Sequence, residues 1–254
     1  MSFKEKVVIV TGATSGIGLA TARAFAAEQA HLVLVGRNRS SLDQLASQLG
    51  NDRPPAICET DVTAETAPAQ IVDAAVAAFG AIDVLVNAAG VIASGSIETT
   101  SDETWASMMA INLTAPFRLM RAAVPYLKAR RGAVVNVSSV NGLRSFAGVL
   151  AYCVSKSGVD QLTRCAALEM APFGVRVNGV NPGVTVTNLH RRGGMDDAQY
   201  EKFLERSKET HPLGRPGSPE EVASLIVFLA SDRAGWMTGE TIPIDGGRHL
   251  TCLR

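Results

Sequence analysis

The chain has 254 residues, of which 46% are hydrophobic and 19% charged, and its net charge is zero. These values are typical of a globular protein, and the balanced charge gives no basic field that would indicate binding to nucleic acid or to an anionic membrane. The four cysteines and four histidines do not cluster as metal ligands or as a disulfide framework, and no apolar run reaches the ~18 residues of a membrane span. We therefore predict a cytoplasmic protein without a metal site, a signal peptide or a membrane segment.

Short apolar runs rich in β-branched residues alternate along the chain with longer helical patterns. The runs predict strands at residues 7–10, 32–35, 56–59, 84–86, 134–137, 175–180 and 241–244. The intervening patterns predict helices at residues 17–28, 41–49, 65–79, 102–130, 152–171 and 220–231. Strands that alternate with helices indicate βαβ units, and continuous apolar strands indicate burial on both faces. We predict an α/β fold: a single doubly wound Rossmann domain over residues 1–254, with a mainly parallel seven-stranded sheet and helices on both faces.

Capping residues support these helix starts. Ser40 or Ser41 is expected to cap the second helix, Ser101 the long helix, and Ser218 the last one.

A glycine-rich turn joins the first strand to the first helix, in the pattern G-x-x-x-G-x-G. Glycines let the backbone approach a ligand closely, and the free amides at a helix start favour an anion. In a doubly wound fold, this turn is where the pyrophosphate of a dinucleotide binds. The residues expected to bind it are Gly12, Thr14, Ser15, Gly16, Ile17 and Gly18. A tight turn without a ligand is the alternative interpretation.

The second strand ends in Gly36-Arg37-Asn38, without the acidic residue that commonly binds the ribose hydroxyls of NAD. Gly36 leaves room there, and the guanidinium of Arg37 suits a 2′-phosphate. We therefore expect NADP (NADPH) as the cofactor, with NAD possible. A solvated arginine after a strand is the alternative for Arg37.

Tyr152 and Lys156 are four residues apart, so on a helix they leave the same face. A nearby ammonium favours the phenolate and lowers the pKa of a tyrosine from its usual ~10. A hydroxyl such as Ser139 can hold a substrate oxygen while the tyrosine transfers a proton. The spacing alone is equally consistent with an accidental pair on a solvated helix face.

Residues 188–215 form a polar insertion that has no strand of its own. We expect this segment to be a substrate lid, with a surface excursion as the alternative. Its His190, Arg191 and Arg192 suit an anionic group such as a carrier phosphopantetheine, or are simply exposed.

Together these motifs resemble the short-chain dehydrogenase/reductase family, and the resemblance extends over the whole chain. Besides the glycine turn and the Tyr152/Lys156 pair, it rests on Asn87-Ala88-Ala89-Gly90, Asp61-Val62, Asn112, Val137-Ser138-Ser139, Asn181-Pro182-Gly183, Gly239-Glu240-Thr241 and Asp245-Gly246-Gly247. The chain looks most like 3-oxoacyl-(acyl-carrier-protein) reductases and carbonyl reductases.

The resemblance implies four catalytic residues. The family spacing puts the serine thirteen residues before the tyrosine, which selects Ser139 over Ser138. Tyr152 would be the acid/base, while Lys156 would bind the nicotinamide ribose and lower the pKa of the tyrosine. Asn112 would complete a water-linked proton relay. As a bare residue, Asn112 is a polar interruption in an apolar helix that must be hydrogen-bonded if buried.

The resemblance also implies further cofactor contacts. Asp61 and Val62 would flank the adenine, although Asp61 also reads as a cap for a helix that begins near Ala64. Asn87, Ala88 and Gly90 would line the ribose and phosphate path, with Tyr152 and Lys156 at its nicotinamide end. The carboxamide end would be held by Pro182, Gly183, Thr185 and Thr187.

The expected function is NADP(H)-dependent hydride transfer between a carbonyl and a secondary alcohol. The alternatives are an NAD-dependent alcohol or hydroxysteroid dehydrogenase of the same fold, and a non-catalytic NADP-binding sensor or scaffold. The expected substrate pocket is mainly apolar and small, and it suits an uncharged or modestly polar carbonyl. Its residues are Val91, Ile92, Ser94, Asn141, Leu143, Phe146, Leu150, Thr185 and the lid from Leu189 onward. A homotetramer is expected, with contacts at residues 105–127, 152–168 and 242–253.

Overall fold

The computed structural model describes residues 3–49 and 53–251. The strands are β1 Val7–Thr11, β2 His31–Gly36, β3 Ala56–Glu59, β4 Val84–Asn87, β5 Ala133–Val137, β6 Arg176–Pro182 and β7 Thr241–Ile244. The α-helices are α1 Gly16–Ala27, α2 Arg39–Gln48, α3 Ala67–Phe79, α4 Asp102–Met109, α5 Ala115–Arg130, α6 Val140–Leu143, α7 Leu150–Met170, α8 Leu189–Arg192, α9 Asp197–Thr210 and α10 Pro219–Ala230.

The seven strands form one sheet in the order β3-β2-β1-β4-β5-β6-β7, and neighbouring strands pair in parallel. The chain starts in the middle of the sheet, builds outward to β3, and then crosses back to β4. This reversal beside β1 creates a crevice at the carboxyl ends of the strands, where open α/β sheets bind ligands. The predicted doubly wound, parallel seven-stranded fold is confirmed.

The sheet is covered on both faces, which explains the apolar strands. One core contains residues of α1, α2 and α10, and the other contains residues of α3, α5 and α7. All five residues of β1 are buried, and so are all four of β4. These central strands hold the crevice rigidly, because a strand buried between two layers has no room to shift.

The predicted helix over residues 102–130 is wrong as a continuous α-helix. A π-helical segment, Ala110–Thr114, separates α4 from α5 and contains the buried Asn112. Single π-turns are rare and commonly mark functional sites. The extra residue of a wider turn is not visible in an apolar pattern, so the sequence gives no sign of it.

Two expected caps also differ from the structure. The cap of α2 is Asn38, whose side chain accepts a hydrogen bond from the Ser41 amide, and not Ser40 or Ser41. Asp61 does not cap α3, which begins at Ala67; its carboxylate accepts hydrogen bonds from the amide and hydroxyl of Thr63. Ser101 and Ser218 do cap α4 and α10, as predicted.

Among the described residues, no helix has the length and apolar character needed to cross a bilayer. Part of the expected contact segment 242–253 lies outside the described residues, and so does Cys252.

Candidate active site

A cleft of about 1230 Å³ lies at the carboxyl ends of the strands. Its wall is built from the residues that follow β1 to β6, together with α8, α9 and the segment after β7. Every residue that we expected to bind the cofactor lines this cleft, except Asn87. Segments far apart in the sequence therefore meet on one continuous surface.

The glycine turn presents open backbone amides to this cleft. Ser15 is the N-cap of α1, but its side chain makes no capping hydrogen bond. Gly16 has a φ of +53°, which a residue with a side chain rarely adopts. A Cβ at Gly18 would lie 2.3 Å from the carbonyl oxygen of Gly12, so the turn closes this tightly only with glycine there. The amides at the start of α1 are thus left available for an anion.

The end of β2 carries the expected arginine beside an acid from β3. Arg37 Nη1 lies 3.7 Å from Asp61 Oδ2, and both side chains are substantially exposed. The hydrogen bonds from Thr63 and the charge of Arg37 lower the pKa of Asp61. This is a loose surface ion pair, and such pairs contribute little stability.

Asn87 is in a different place from the expected one. Its side chain is buried and donates a hydrogen bond to Asn136 Oδ1 at 2.8 Å, within the sheet and away from the cleft. Neighbouring residues of a strand face opposite sides, so Ala88 can line the cleft while Asn87 does not. Thr11 positions this strand end, because its hydroxyl accepts hydrogen bonds from the amides of Ala88 and Ala89.

Ser139 and Tyr152 meet at the floor of the cleft. Ser139 is the N-cap of α6, and its hydroxyl accepts a hydrogen bond from the Asn141 amide at 3.2 Å. The same hydroxyl acts on the phenol of Tyr152, in the first turn of α7, and lowers its pKa. Ser138 Oγ donates instead to the carbonyl of Lys156 at 3.1 Å, so its hydroxyl is occupied below the cleft.

The expected lowering of the pKa of Tyr152 is absent from this arrangement. Burial raises the pKa of Tyr152 to about 12, outweighing the bond from Ser139 that lowers it. Lys156 Nζ lies 5.7 Å from the centre of the Tyr152 ring and donates to the carbonyl of Val137 at 2.8 Å. Burial also lowers the pKa of Lys156 to about 8, although Asp160 opposes this. Desolvation, which the sequence pattern does not report, dominates both groups.

Asn112 lies beside the cleft wall and is fully engaged by hydrogen bonds. Its Oδ1 accepts from the amide of Val91, and its Nδ2 lies within 3.0 Å of the carbonyl of Val91 and of Ser155 Oγ. These contacts fix the segment after β4 to the helix α7 that carries Tyr152 and Lys156.

A buried pair supports Ser139 from behind and was not identified from the sequence. Asn181 Nδ2 donates to the carbonyl of Ser139 at 2.9 Å and lies 3.0 Å from Asp160 Oδ2. Both residues are almost fully buried, and burial raises the pKa of Asp160. Asn181 appeared in the sequence only as part of a motif, and Asp160 only as a helix residue.

The predicted lid segment is anchored to the loop after β6. Tyr200 of α9 is 2% exposed, and its hydroxyl donates to the carbonyl of Thr187 at 2.8 Å. His211, which follows α9, accepts a hydrogen bond from the Val184 amide at 3.1 Å. Neither contact is predictable from the sequence, because both residues belong to a polar segment without a distinguishing pattern.

The substrate end of the cleft differs in part from the expected set. Leu143 and Leu150 do not line it, and Arg191 turns away to bond Asp197 Oδ1 at 2.7 Å. The other expected residues do line it: Val91, Ile92, Ser94, Asn141, Phe146, Thr185, Leu189, His190 and Arg192.

Three further arginines line the same end: Arg144, Arg206 and Arg248. They come from α6, α9 and the segment after β7, so no local pattern connects them. The expected mainly apolar pocket therefore has a basic end.

A family model described as enoyl-(acyl carrier protein) reductase matches residues 12–249. Meso-2,3-butanediol dehydrogenase from Serratia marcescens is 38% identical over 247 residues, covering 97% of this chain and 96% of that protein. The 3-oxoacyl-(acyl-carrier-protein) reductase FabG from Thermotoga maritima is 38% identical over 255 positions, covering 97% of this chain and 99% of that protein.

The fold is similar to that of solved structures at comparable identity. A short-chain dehydrogenase/reductase of unknown function from Caenorhabditis elegans, solved with a cofactor, superposes with a TM-score of 0.91 at 33% identity. The match covers 98% of this chain and 97% of that one.

Proposed function

Because the chain belongs to the short-chain dehydrogenase/reductase family, we propose that it interconverts a ketone and a secondary alcohol with NADP(H). It is an oxidoreductase by that membership, and the family binds a nicotinamide cofactor. The observation that carries the proposal is the meeting of Ser139, Tyr152 and Lys156 on the wall of a cleft that begins at an open helix start. The names of both relatives denote interconversion of carbonyl and hydroxyl groups, which agrees with this assignment.

The cleft fits a dinucleotide along its length. The uncapped amides of α1 suit a pyrophosphate, and the strand ends at Arg37 and Asp61 suit an adenosine. The loop Pro182–Thr187 and the segment at Gly90 enclose the other end, beside Lys156. A nicotinamide bound there supplies or accepts the hydride.

Tyr152 is the proposed proton donor for ketone reduction. Burial keeps its phenol protonated at neutral pH, with a pKa of about 12, so the proton is present when a carbonyl oxygen needs it. Ser139 is proposed to donate a hydrogen bond to that oxygen from its position beside the phenol. Asn112, which fixes Val91 to α7, is proposed to complete the proton relay behind Lys156.

NADP is proposed over NAD because of the residues after β2. Arg37 follows Gly36, lies on the cleft wall and has a largely exposed guanidinium that suits a 2′-phosphate. Asp61 is a competing feature: it pairs loosely with Arg37 and could accept hydrogen bonds from the ribose hydroxyls of NAD. An NAD-dependent dehydrogenase is therefore the second candidate function.

The direct test is the oxidation of NADPH, and separately of NADH, in the presence of ketones, 3-oxoacyl thioesters and an enoyl thioester. We expect turnover of a carbonyl substrate, and a loss of about 10²–10⁴-fold in the Tyr152→Phe variant with cofactor binding retained. Tyr126→Phe is the matched control, since Tyr126 is a partly buried residue of α5 that packs against the core and does not line the cleft. Near-normal turnover by Tyr152→Phe would overturn the proposed role of Tyr152. NADPH binding without turnover of any substrate would instead favour a sensor or scaffold.

We also propose that residues 188–215 act as the substrate lid of a single-domain cytoplasmic enzyme. The anchors at Tyr200 and His211 would couple the position of α9 to the loop Pro182–Thr187.

A homotetramer is proposed from apolar side chains exposed along α4, α5 and α7. Trp105, Phe117, Val154 and Leu168 are 39%, 43%, 44% and 79% exposed, respectively. Exposed apolar groups on adjacent helices suit contact with another copy of the chain. Light scattering on the purified protein measures the mass directly, and the mass of one chain would contradict the proposal.

A further inference from the structure

The charges of the cleft are separated along the sheet. Asp61 is the only carboxylate among the described residues that line the cleft, and it lies beside Arg37 after β3 and β2. Arg144, Arg206 and Arg248 line the opposite end, toward β6 and β7. Ser139 and Tyr152 lie between these two ends, after β5. The substrate end is therefore basic, and the nearest carboxylate of the wall is at the far edge of the sheet.

Arg248 is held in place beside the proposed catalytic groups. Its guanidinium carbon lies 4.9 Å from the centre of the Phe146 ring, and it donates a hydrogen bond to Thr210 Oγ1. A contact links Phe146 to the helix that carries Tyr152. The thiol of Cys153, the residue after Tyr152, donates to the carbonyl of Phe146 at 3.8 Å. The stacked ring and the hydroxyl fix the direction of the guanidinium, which suits recognition of a ligand.

Arg206 approaches Arg248 from α9. It lies one helical turn before Thr210, the residue that Arg248 contacts. Burial and the charge of Arg206 both lower the pKa of Arg248. Both residues line the same cleft.

The charge of Asp245 acts in the opposite direction and raises the pKa of Arg248. Asp245 acts on Arg248 through its charge, but it is buried and does not line the cleft. Its carboxylate accepts hydrogen bonds from the amides of Gly247 and His249, and its Oδ2 lies 2.9 Å from the His249 ring. Two like charges on one wall are stabilised when an anion binds between them.

Arg144 adds a third positive charge at this end. Its Nη1 donates to the carbonyl of His249 at 2.8 Å and to the carbonyl of Thr251. These bonds fasten the segment after β7 over α6, and so fix Arg248 relative to Ser139 at the start of α6.

We propose that the substrate carries an anionic group, a carboxylate or a phosphate, that binds between Arg206 and Arg248 while its carbonyl or hydroxyl carbon lies at Ser139 and Tyr152. This inference rests on the proposed oxidoreductase function of the site and names the substrate class within it. An anion makes charge-assisted hydrogen bonds with guanidinium groups that a neutral substrate does not make, and no carboxylate among the described residues lines this end of the cleft.

The first test compares substrates that differ only in charge. Medium-chain 3-, 4- and 5-oxo acids are assayed beside their methyl esters, and hydroxyketone phosphates beside the free hydroxyketones. We expect kcat/KM for the preferred anion to exceed that of its neutral partner by about tenfold or more. Arg206→Gln and Arg248→Gln should each lower kcat/KM for the anion about tenfold more than for the neutral partner, mainly through KM. Comparing the oxo acids with the hydroxyketone phosphates shows whether the site prefers a carboxylate or a phosphate.

Lys202→Gln is the matched control, because Lys202 is exposed on the same helix and does not line the cleft. It removes one positive charge from α9 and should leave the preference for the anion unchanged. Arg206 is exposed, so its variant remains informative if Arg248→Gln fails to fold. Equal kcat/KM for acid and ester, or equal losses in the arginine variants and the control, would overturn the proposal.

A binding experiment separates this inference from the proposed function. Hexanoate, butyl phosphate and hexanamide are titrated by calorimetry into the NADP-saturated Tyr152→Phe protein. We expect an anion to bind, its affinity to fall with added salt and with Arg206→Gln, and hexanamide to bind at least about tenfold more weakly. If no substrate is turned over but the anion still binds selectively, the proposed function fails and the anion site stands. Equal binding of the anions and hexanamide contradicts the site itself.

Discussion

The ring of His211 accepts a hydrogen bond from the Val184 amide at 3.1 Å and thereby ties the end of α9 to the loop that lines the cleft after β6. Its other ring nitrogen, Nδ1, lies 2.8 Å from the carbonyl of Ser207 and must therefore donate there. Only the neutral ring can donate at Nδ1 and accept at Nε2 at once. The contact thus fixes the tautomer of His211 and makes the anchor of α9 sensitive to pH.

We expect His211→Gln to lower the free energy of unfolding by about 1–3 kcal/mol at neutral pH, because the buried partners of the ring lose hydrogen bonds. Burial is the main cause that lowers the pKa of His211, aided by Arg248 and opposed by the Ser207 carbonyl and Asp245. A lowered pKa means that the unfolded chain binds the proton more readily. The stabilisation by the neutral ring is therefore complete above the ordinary histidine pKa of 6.5. It is lost as the pH falls through the lower pKa that His211 has in the folded protein.

Denaturant unfolding of both proteins at about pH 7.5 and about pH 5 measures this difference. The difference in the free energy of unfolding between wild type and His211→Gln should be smaller at about pH 5 than at about pH 7.5. A gap that stays constant or widens would contradict a neutral ring at this position.

Lys156→Met should abolish turnover without lowering stability at neutral pH. Lys156 is 4% exposed, and burial lowers the pKa of its ammonium from the usual 10.5 to about 8, so the charged form is costly in the folded state. If the free energy of unfolding of the variant rises by about 1 kcal/mol, its Tm should rise by about 2–4 °C in a chain of this size. Wild type should gain stability as the pH rises from about 8 to 10.5, since the unfolded chain holds the proton over that range.

Thermal unfolding across this pH range tests the prediction. Lys202→Met, which replaces an exposed lysine, should follow the wild-type pH dependence. If Lys156→Met follows it too, the buried ammonium is not the group responsible.

Arg37→Asp should shift cofactor preference from NADP toward NAD. The change removes the guanidinium that suits a 2′-phosphate and adds a second carboxylate beside Asp61. We expect the ratio of the Kd values for NADPH and NADH to change by about tenfold or more, because a charge-assisted contact is worth about 1.5–3 kcal/mol. Arg39→Asp is a matched control, since Arg39 bonds Asp43 on the exposed side of α2. Unchanged preference in Arg37→Asp would favour the NAD-linked alternative.

Asn181→Ala should lower kcat beyond any effect on stability. Asn181 donates to the carbonyl of Ser139, so its loss frees the residue that is proposed to hold the substrate oxygen. A loss of stability of about 1–3 kcal/mol is also expected, because Asp160 loses a buried partner. Asn178→Ala on the same strand removes a comparable buried amide that bonds the carbonyl of Met237, away from the cleft.

The two asparagine variants are compared at a temperature where both are folded. Only Asn181→Ala should show reduced kcat with cofactor affinity unchanged. Equal kcat in the two variants would reduce Asn181 to a structural role.

The sequence alone determined the seven strands, their alternation with helices, and most of the cleft wall. Strand and helix periods are local properties, and the residues that follow parallel strands must meet at one edge of the sheet. Gly12, Arg37 and Ser139 follow three of these strands and Pro182 ends a fourth, and all four line the cleft.

The features that depend on burial and on distant segments became visible only in the folded structure. Asn87 turns into the sheet, Asn112 lies in a π-turn, and burial raises the pKa of Tyr152 that Lys156 was expected to lower. The convergence of Arg206 and Arg248 requires the path of α9 and the edge position of β7. Desolvation and long-range contact depend on what packs against a residue, and the spacing of neighbours along the chain does not record that.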